Sequence, residues 1–339
     1  MSAETLLALG ERQILRDIIP KFASGAGDDC AVFEIGNGFG LVTTDPVPPP
    51  AAKILGGDED LYWMGWLLVT INASDIAAAG AEPVAFVAAL DLPADLEVAK
   101  LERLLEGIRD SCEANSLQYV GGNLREAKSI AAVGTAIGWS ETAPLQRKGA
   151  KAGDLVVVVG RGGAFWADAE RARLGQHIDK LSSPLFSPVS QVAAMSTIRK
   201  LGLATCAMDT SDGLAPTLDE LARVNELGIT VDLEQIRHAS SSDDVAVRCE
   251  RLWMGWGDWT VVIGVEPSDL EALAKKVDGS FTVIGEFAET PRGVQLRDGH
   301  SIAPMGRLES ERFAADSWFA NGIEAYVELL RAFPLPRQE

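Results

Sequence analysis

Residues 59–91 read EDLYWMGWLLVTINASDIAAAGAEPVAFVAALD. The run Leu61–Ala79 is apolar except where Asn72, Ser74 and Asp75 interrupt it, so it falls short of the roughly 18 clean residues a membrane span needs. It predicts a buried helix over 59–79, closed by Gly80 with Pro83 just beyond, followed by an apolar strand over 84–91. Asp75 is the residue to explain, because an unpaired carboxylate inside an apolar helix is costly.

Working outward, residues 29–35 and 39–45 read as short strands around the Gly36-Asn37-Gly38 turn. Leu101, Leu104, Leu105 and Ile108 carry the helical repeat of a 95–115 helix, and 117–121 and 129–139 read as further strands. The polar, glycine-bearing segment Gln146–Asp154 predicts a domain boundary, with residues 1–145 on one side and 146–339 on the other. Beyond it strands (155–159, 203–208, 229–233, 259–265, 281–287) alternate with helices (164–174, 189–201, 213–226, 242–251, 267–277), and a helix over 317–332 ends the chain. The fold class expected is α+β, in two domains.

The chain of 339 residues carries a net charge of −19, which repels nucleic acid and anionic membranes. It would also repel a nucleotide unless a divalent cation stood between them. An acidic balance is equally that of an ordinary solvated surface. Glu4 and Glu11 with no basic n-region make the N-terminus unlike a secretory signal, and a cytosolic location is expected. Cys30, Cys112, Cys206 and Cys249 form no CxxC pair and there are three histidines, which argues against a zinc site.

Five short segments place Asp or Asn beside Thr, Ser or Gly at predicted element ends: Gly27-Asp28-Asp29, Thr43-Thr44-Asp45, Asn72–Asp75, Gly121-Gly122-Asn123 and Asp209–Gly213. Magnesium takes six oxygens and keeps several for water and phosphate, so a few carboxylates drawn from separate segments suit it. Each segment alone has a plainer reading. Asp28-Asp29 suits a turn, Thr44-Asp45-Pro46 a strand exit, and Ser211 or Asp212 a helix cap.

Taken in order, GDDCAVF (27–33), TTD (43–45), NASDIAAAGAEP (72–83), GGN (121–123) and MDTSDGLAPTLDELA (208–222) resemble thiamine-monophosphate kinases. More broadly they resemble the aminoimidazole-ribonucleotide (AIR) synthase-related superfamily. The resemblance implies an N-terminal α+β domain that binds ATP and magnesium and forms an intersubunit β-barrel in a homodimer, with a C-terminal α/β domain. It implies that Asp28, Thr43, Thr44, Asp45, Asp75, Asp209 and Asp212 are magnesium ligands, with Asn123 standing where the family has an aspartate. Gly122, Asn123, Arg147 and Ser211 would touch the nucleotide.

The acceptor side departs further. After TTD the chain runs Pro46–Ala52 with no histidine, and the family's GGEDYE corresponds loosely to Gly255–Thr260, its glutamate falling on Gly257. Asp258, Trp259 and Trp318 are the substrate-side residues so implied. Trp63, Trp66, Trp253, Trp256 and Trp259 suit either an acceptor pocket or core packing. The expected activity is ATP-dependent phosphorylation of a small-molecule acceptor, with thiamine phosphate the family's own. The alternatives are activation of an amide or carbonyl oxygen, as in a cyclo-ligase or dehydratase, and non-catalytic nucleotide binding.

Overall fold

The structure, a computed structural model, describes residues 5–23, 27–240, 245–308, 312–313 and 318–337. It is α+β, built on two sheets. The first contains β1 (Ala31–Ile35), β2 (Gly38–Pro46), β3 (Glu82–Leu92), β4 (Gln118–Glu126) and β5 (Ala131–Ser140), in the order β1-β2-β5-β3-β4. The second contains β6 (Leu155–Val159), β7 (Cys206–Asp209), β8 (Gly228–Asp232), β9 (Val261–Val265), β10 (Phe281–Ala288), β11 (Gly293–Asp298) and β12 (Ser301–Pro304). Its order is β12-β11-β8-β10-β6-β9-β7.

The helix Leu61–Ala78 lies on the first sheet and also meets β7 and the helix Val192–Lys200 of the second. It is buried nearly all round, which is why its apolar residues show no single face. Its N-terminus is fixed by Asp60, whose side chain accepts the Tyr62 N–H at 3.0 Å. It packs on the helix Val98–Ala114 at backbone contact: a Cβ on Gly65 would lie 2.1 Å from the Leu104 carbonyl, and one on Gly107 2.0 Å from that of Tyr62.

The first sheet is closed on one side only. Along β5, Ala132, Gly134, Ala136, Gly138 and Ser140 are buried under the helix, while Val133 and Ile137 on the other face are 39% and 38% exposed. Phe33 and Ile35 of β1 lie on that open face at 48% and 54% exposure. The second sheet's strands β6 and β9 are buried almost throughout.

Some expectations changed. The helix Leu233–Ala239 and the hairpin β11–β12 had no clear period in the sequence, because each is short and half covered. The C-terminal helix is two pieces, Trp318–Asn321 and Ile323–Arg331, parted at Gly322 with φ 84°. The helix expected over 242–251 begins partly outside the described residues, and the observed one is Cys249–Met254. Among the described residues, no helix is long and apolar enough to cross a membrane.

Candidate metal and nucleotide site

Three carboxylates from distant parts of the sequence converge where the two sheets meet. Oxygens of Asp29, Asp75 and Asp209 all lie within 4.8 Å of one another. Asp29 precedes β1, Asp75 comes from the last turn of the Leu61–Ala78 helix, and Asp209 ends β7. Each is oriented by a neighbour. The Thr43 hydroxyl donates to Asp75 Oδ2. Ser74 Oγ donates to Asp209 Oδ2 at 2.7 Å and Ser211 Oγ to Asp209 Oδ1 at 2.8 Å. Arg147 pairs its guanidinium with Asp29.

The electrostatics say what the cluster lacks. Burial pushes the Asp29 carboxyl up to about 6, against the pull of Arg147 and helped by the charge of Asp209. Asp75 is raised well above the ordinary range by burial and then by the charges of Asp209, Asp45 and Asp29. Asp209 and Asp45 are raised as well, by burial first. The charges of Arg147 on Asp29 and of Arg312 on Asp45 do not bring these carboxyls back to the ordinary range. Three carboxylate oxygens within 4.8 Å of one another are the kind of donor set a hard divalent cation takes.

The expected residues fall into distinct places. Thr43, Asp75 and Asp209 stand in the cluster. Asp45 faces the helix beside it, its N–H donating to Asn72 Oδ1 at 3.1 Å, while Thr44 points to the opposite face and donates to the Gly134 carbonyl at 2.9 Å. Asp28 is turned away: its carboxylate accepts the Arg147 N–H at 2.9 Å and Gln146 Nε2 at 3.3 Å. Its neighbour Asp29 takes the place at the cluster, where it pairs with the Arg147 guanidinium. Ser211 does not cap the following helix, Leu214–Asn225, which starts at Gly213 without a side-chain cap. Asp212 lies half-buried on the same turn.

Gly122 and Asn123 are not brought to the cluster within this chain. The register runs Asp45–Gly134–Ala88–Gly122 across β2, β5, β3 and β4, which is roughly 14 Å at ordinary strand spacing. Gly122 is required for its backbone, since a Cβ there would lie 1.8 Å from the Ala88 carbonyl.

On the acceptor side Asp258 is buried, and its carboxylate accepts the N–H groups of Gly163 at 2.7 Å and Phe165 at 2.8 Å, at the start of the helix Ala164–Arg173. Burial still pushes it up to about 7. Gly257 has φ +112°, and a Cβ would lie 2.5 Å from the Phe165 ring, so this backbone admits no glutamate. Trp259 is half-buried with φ 52°, and Trp318 stacks on Trp256 at 5.4 Å. Trp63 and Trp66 are core residues, 7% and 8% exposed. Trp253 is also core, its Nε1 donating to Ser240 Oγ at 2.9 Å. A cavity of about 420 Å³ opens beside Asp258, lined among others by Gly160, Arg161, Asp168, Arg171 and Gln191. Val159, Val261 and Asp209 are successive partners across β6, β9 and β7, so Gly160 at the cavity wall lies roughly 10 Å from Asp209.

Residues 27–140 match the family described as AIR synthase related protein, N-terminal domain, and residues 151–296 match its C-terminal domain counterpart. The thiamine-monophosphate kinase of Halobacterium salinarum is 34% identical over 300 residues, covering 88% of this chain and 99% of that protein. That of Methanospirillum hungatei is 30% identical over 304 residues, again covering 88% of this chain and 99% of the relative. Among solved structures, AaThiL complexed with AMPPCP and TMP superposes with a TM-score of 0.73 at 25% identity, over 87% of this chain and 96% of that one. The chain therefore belongs to the AIR-synthase-related proteins and, among them, to the thiamine-monophosphate kinase family.

Proposed function

We propose that this protein is an ATP- and magnesium-dependent kinase that converts thiamine monophosphate to thiamine diphosphate. The convergence of Asp29, Asp75 and Asp209 beneath Arg147 carries the reading. The kinship to thiamine-monophosphate kinases and the likeness to a relative solved with AMPPCP and TMP support it.

Bound magnesium would neutralise the polyphosphate and hold its terminal phosphorus in line with the acceptor oxygen. Asp29, Asp75 and Asp209 are the residues to hold it, with Thr43, Asp45 and Asp212 around them, and Asp28 and Thr44 as ligands only after the side chains turn. Thr43 and Ser74 keep Asp75 and Asp209 in place through their hydroxyls. Arg147 and Ser211 supply donors to the phosphates, and the Leu214–Asn225 helix directs the positive end of its dipole toward the same region. The bond between the terminal phosphorus and the bridging oxygen of ATP breaks as an acceptor phosphate oxygen bonds to that phosphorus, leaving ADP. Catalysis is by position and charge, with no covalent enzyme intermediate.

The cavity beside Asp258 is the place for the acceptor's organic part, with Trp259 and Trp318 at its side of the molecule. Its distance of roughly 10 Å from Asp209 leaves room for the acceptor phosphate to reach the cluster. We further propose a homodimer in which a second copy covers the open face of the first sheet, where Phe33, Ile35, Val133 and Ile137 are exposed. In that assembly Gly122 and Asn123 would meet the nucleotide across the β-barrel. We also propose the division into 1–145 and 146–339; that β1–β5 precede it and β6–β12 follow it supports the reading.

Incubation with ATP, magnesium and thiamine monophosphate, followed by chromatography, should yield ADP and thiamine diphosphate in equal amounts. ADP formed only with some other acceptor would keep the kinase and discard the substrate. No ADP with any phosphorylated acceptor would discard both.

A further inference from the structure

Arg147 belongs to no helix or strand, yet its backbone is held on both sides. Its N–H donates to Asp28 Oδ1 at 2.9 Å, and its carbonyl accepts Asn225 Nδ2 at 2.9 Å. Asn225 is the last residue of the Leu214–Asn225 helix, which starts five residues after Asp209. The helix that begins beside the carboxylate cluster therefore ends on the loop that carries the arginine.

The Asn225 side chain uses its full bonding capacity. Oδ1 accepts the N–H groups of Gly149 at 2.8 Å and Ala150 at 2.9 Å, while Nδ2 donates to the carbonyls of Arg147 and Leu221, each at 2.9 Å. A primary amide of this length is suited to accept two bonds and donate two from one branch point; aspartate could only accept and leucine could do neither. The loop has little other freedom at this point. A Cβ on Gly149, at φ +147°, would lie 2.1 Å from the Thr205 carbonyl, one residue before β7. Asp28 and Asn225 thus grip Arg147 from opposite sides, and the guanidinium is left to reach Asp29 at the cluster.

We propose that Asn225 is a positioning residue for the nucleotide: it fixes residues 147–150 to the end of the helix so that Arg147 meets the terminal phosphates. This rests on the reading of Arg147 as a phosphate-contacting residue. A helix-ending asparagine with a purely structural task would bond its own helix, as it does to Leu221. The three bonds to a segment some 75 residues earlier in the chain, around the arginine that pairs with Asp29, are what point further.

The test is a double-mutant cycle in the full chain, read by calorimetric binding of AMPPCP in magnesium, which needs no acceptor. Thermal unfolding runs alongside to show that each variant is folded. Asn225→Ala should weaken the nucleotide about tenfold, the scale of a displaced phosphate contact, and leave the KM for the acceptor within about twofold. Asn225→Asp keeps the acceptor atoms but loses the donation to Arg147, and should fall with Asn225→Ala. In an Arg147→Gln background, Asn225→Ala should cost no further affinity. Equal losses in both backgrounds, or loss of acceptor binding in parallel, would make Asn225 merely structural and overturn the proposal. Should Arg147→Gln leave affinity unchanged in a wild type that does bind, the reading of Arg147 fails, and the inference with it. A wild type that binds no nucleotide would sink the kinase itself.

Discussion

Two buried acid sites stand at the same end of the second sheet, one at the end of β7 and one just before β9, and they are opposite solutions to the same cost. At Asp209 three carboxylates crowd within 4.8 Å of one another, with one guanidinium on Asp29. At Asp258 a single carboxylate meets the backbone N–H groups of Gly163 and Phe165. Burying a charge is tolerated when partners replace water. Asp258 has found its partners in the helix start and has little left to offer a ligand. The Asp29–Asp75–Asp209 set has three hydroxyls and one guanidinium, yet its carboxyls stay raised by burial, and those of Asp29 and Asp75 by neighbouring carboxylates as well. The Asp258 site is satisfied by protein groups, and the cluster at Asp209 is the one proposed to take a cation.

The largest test of that contrast is Asp75→Asn. It should lower kcat/KM by about 10²–10³-fold, the scale of a removed electrostatic group. In magnesium-free buffer the same change removes a charge from a repelling set, so the melting temperature should hold or rise. A fall in both activity and metal-free stability would mean that Asp75 is a structural acid like Asp258.

Asp258 should behave in the reverse sense. Asp258→Ala leaves helix N–H groups unpaired and should cost about 2–3 kcal/mol of stability with nucleotide affinity unchanged, measured by denaturant unfolding and AMPPCP titration. Its pH dependence has a defined sign. The folded carboxyl, at about 7, keeps a proton that the unfolded chain releases above about pH 4. Relative to Asp258→Asn, the stability of the wild type should therefore fall between about pH 4 and pH 7 and then level off. A difference that stays flat over that window and changes only below about pH 4 would show that the N–H groups, not burial, govern this acid.

The contrast was only partly readable from the sequence. The buried helix with Asp75 in it was legible, because an apolar run closed by Gly80 and Pro83 leaves few alternatives and a carboxylate inside it needs a reason. Asp209 was marked by its place at the end of an apolar strand. Asp28 and Asp29 could not be told apart, since the Arg147 backbone N–H that takes Asp28 and the Arg147 guanidinium that takes Asp29 are distant in sequence. Asn225 gave no local sign at all, because three of its four bonds reach across the fold. The Gly255–Thr260 loop misled in another way. An apparent lost glutamate at Gly257 is a position where the Phe165 ring and a positive φ leave room only for glycine.

The carboxylate cluster is proposed to hold a divalent cation for a nucleotide. Calorimetric titration of the wild type with AMPPCP, in magnesium and then in chelator, tests that most directly. Binding in magnesium that weakens by about 100-fold or more in chelator is the result expected of a cation-bridged site. Equal affinity in the two buffers would contradict it, and would leave Asp29, Asp75 and Asp209 without the partner proposed for them.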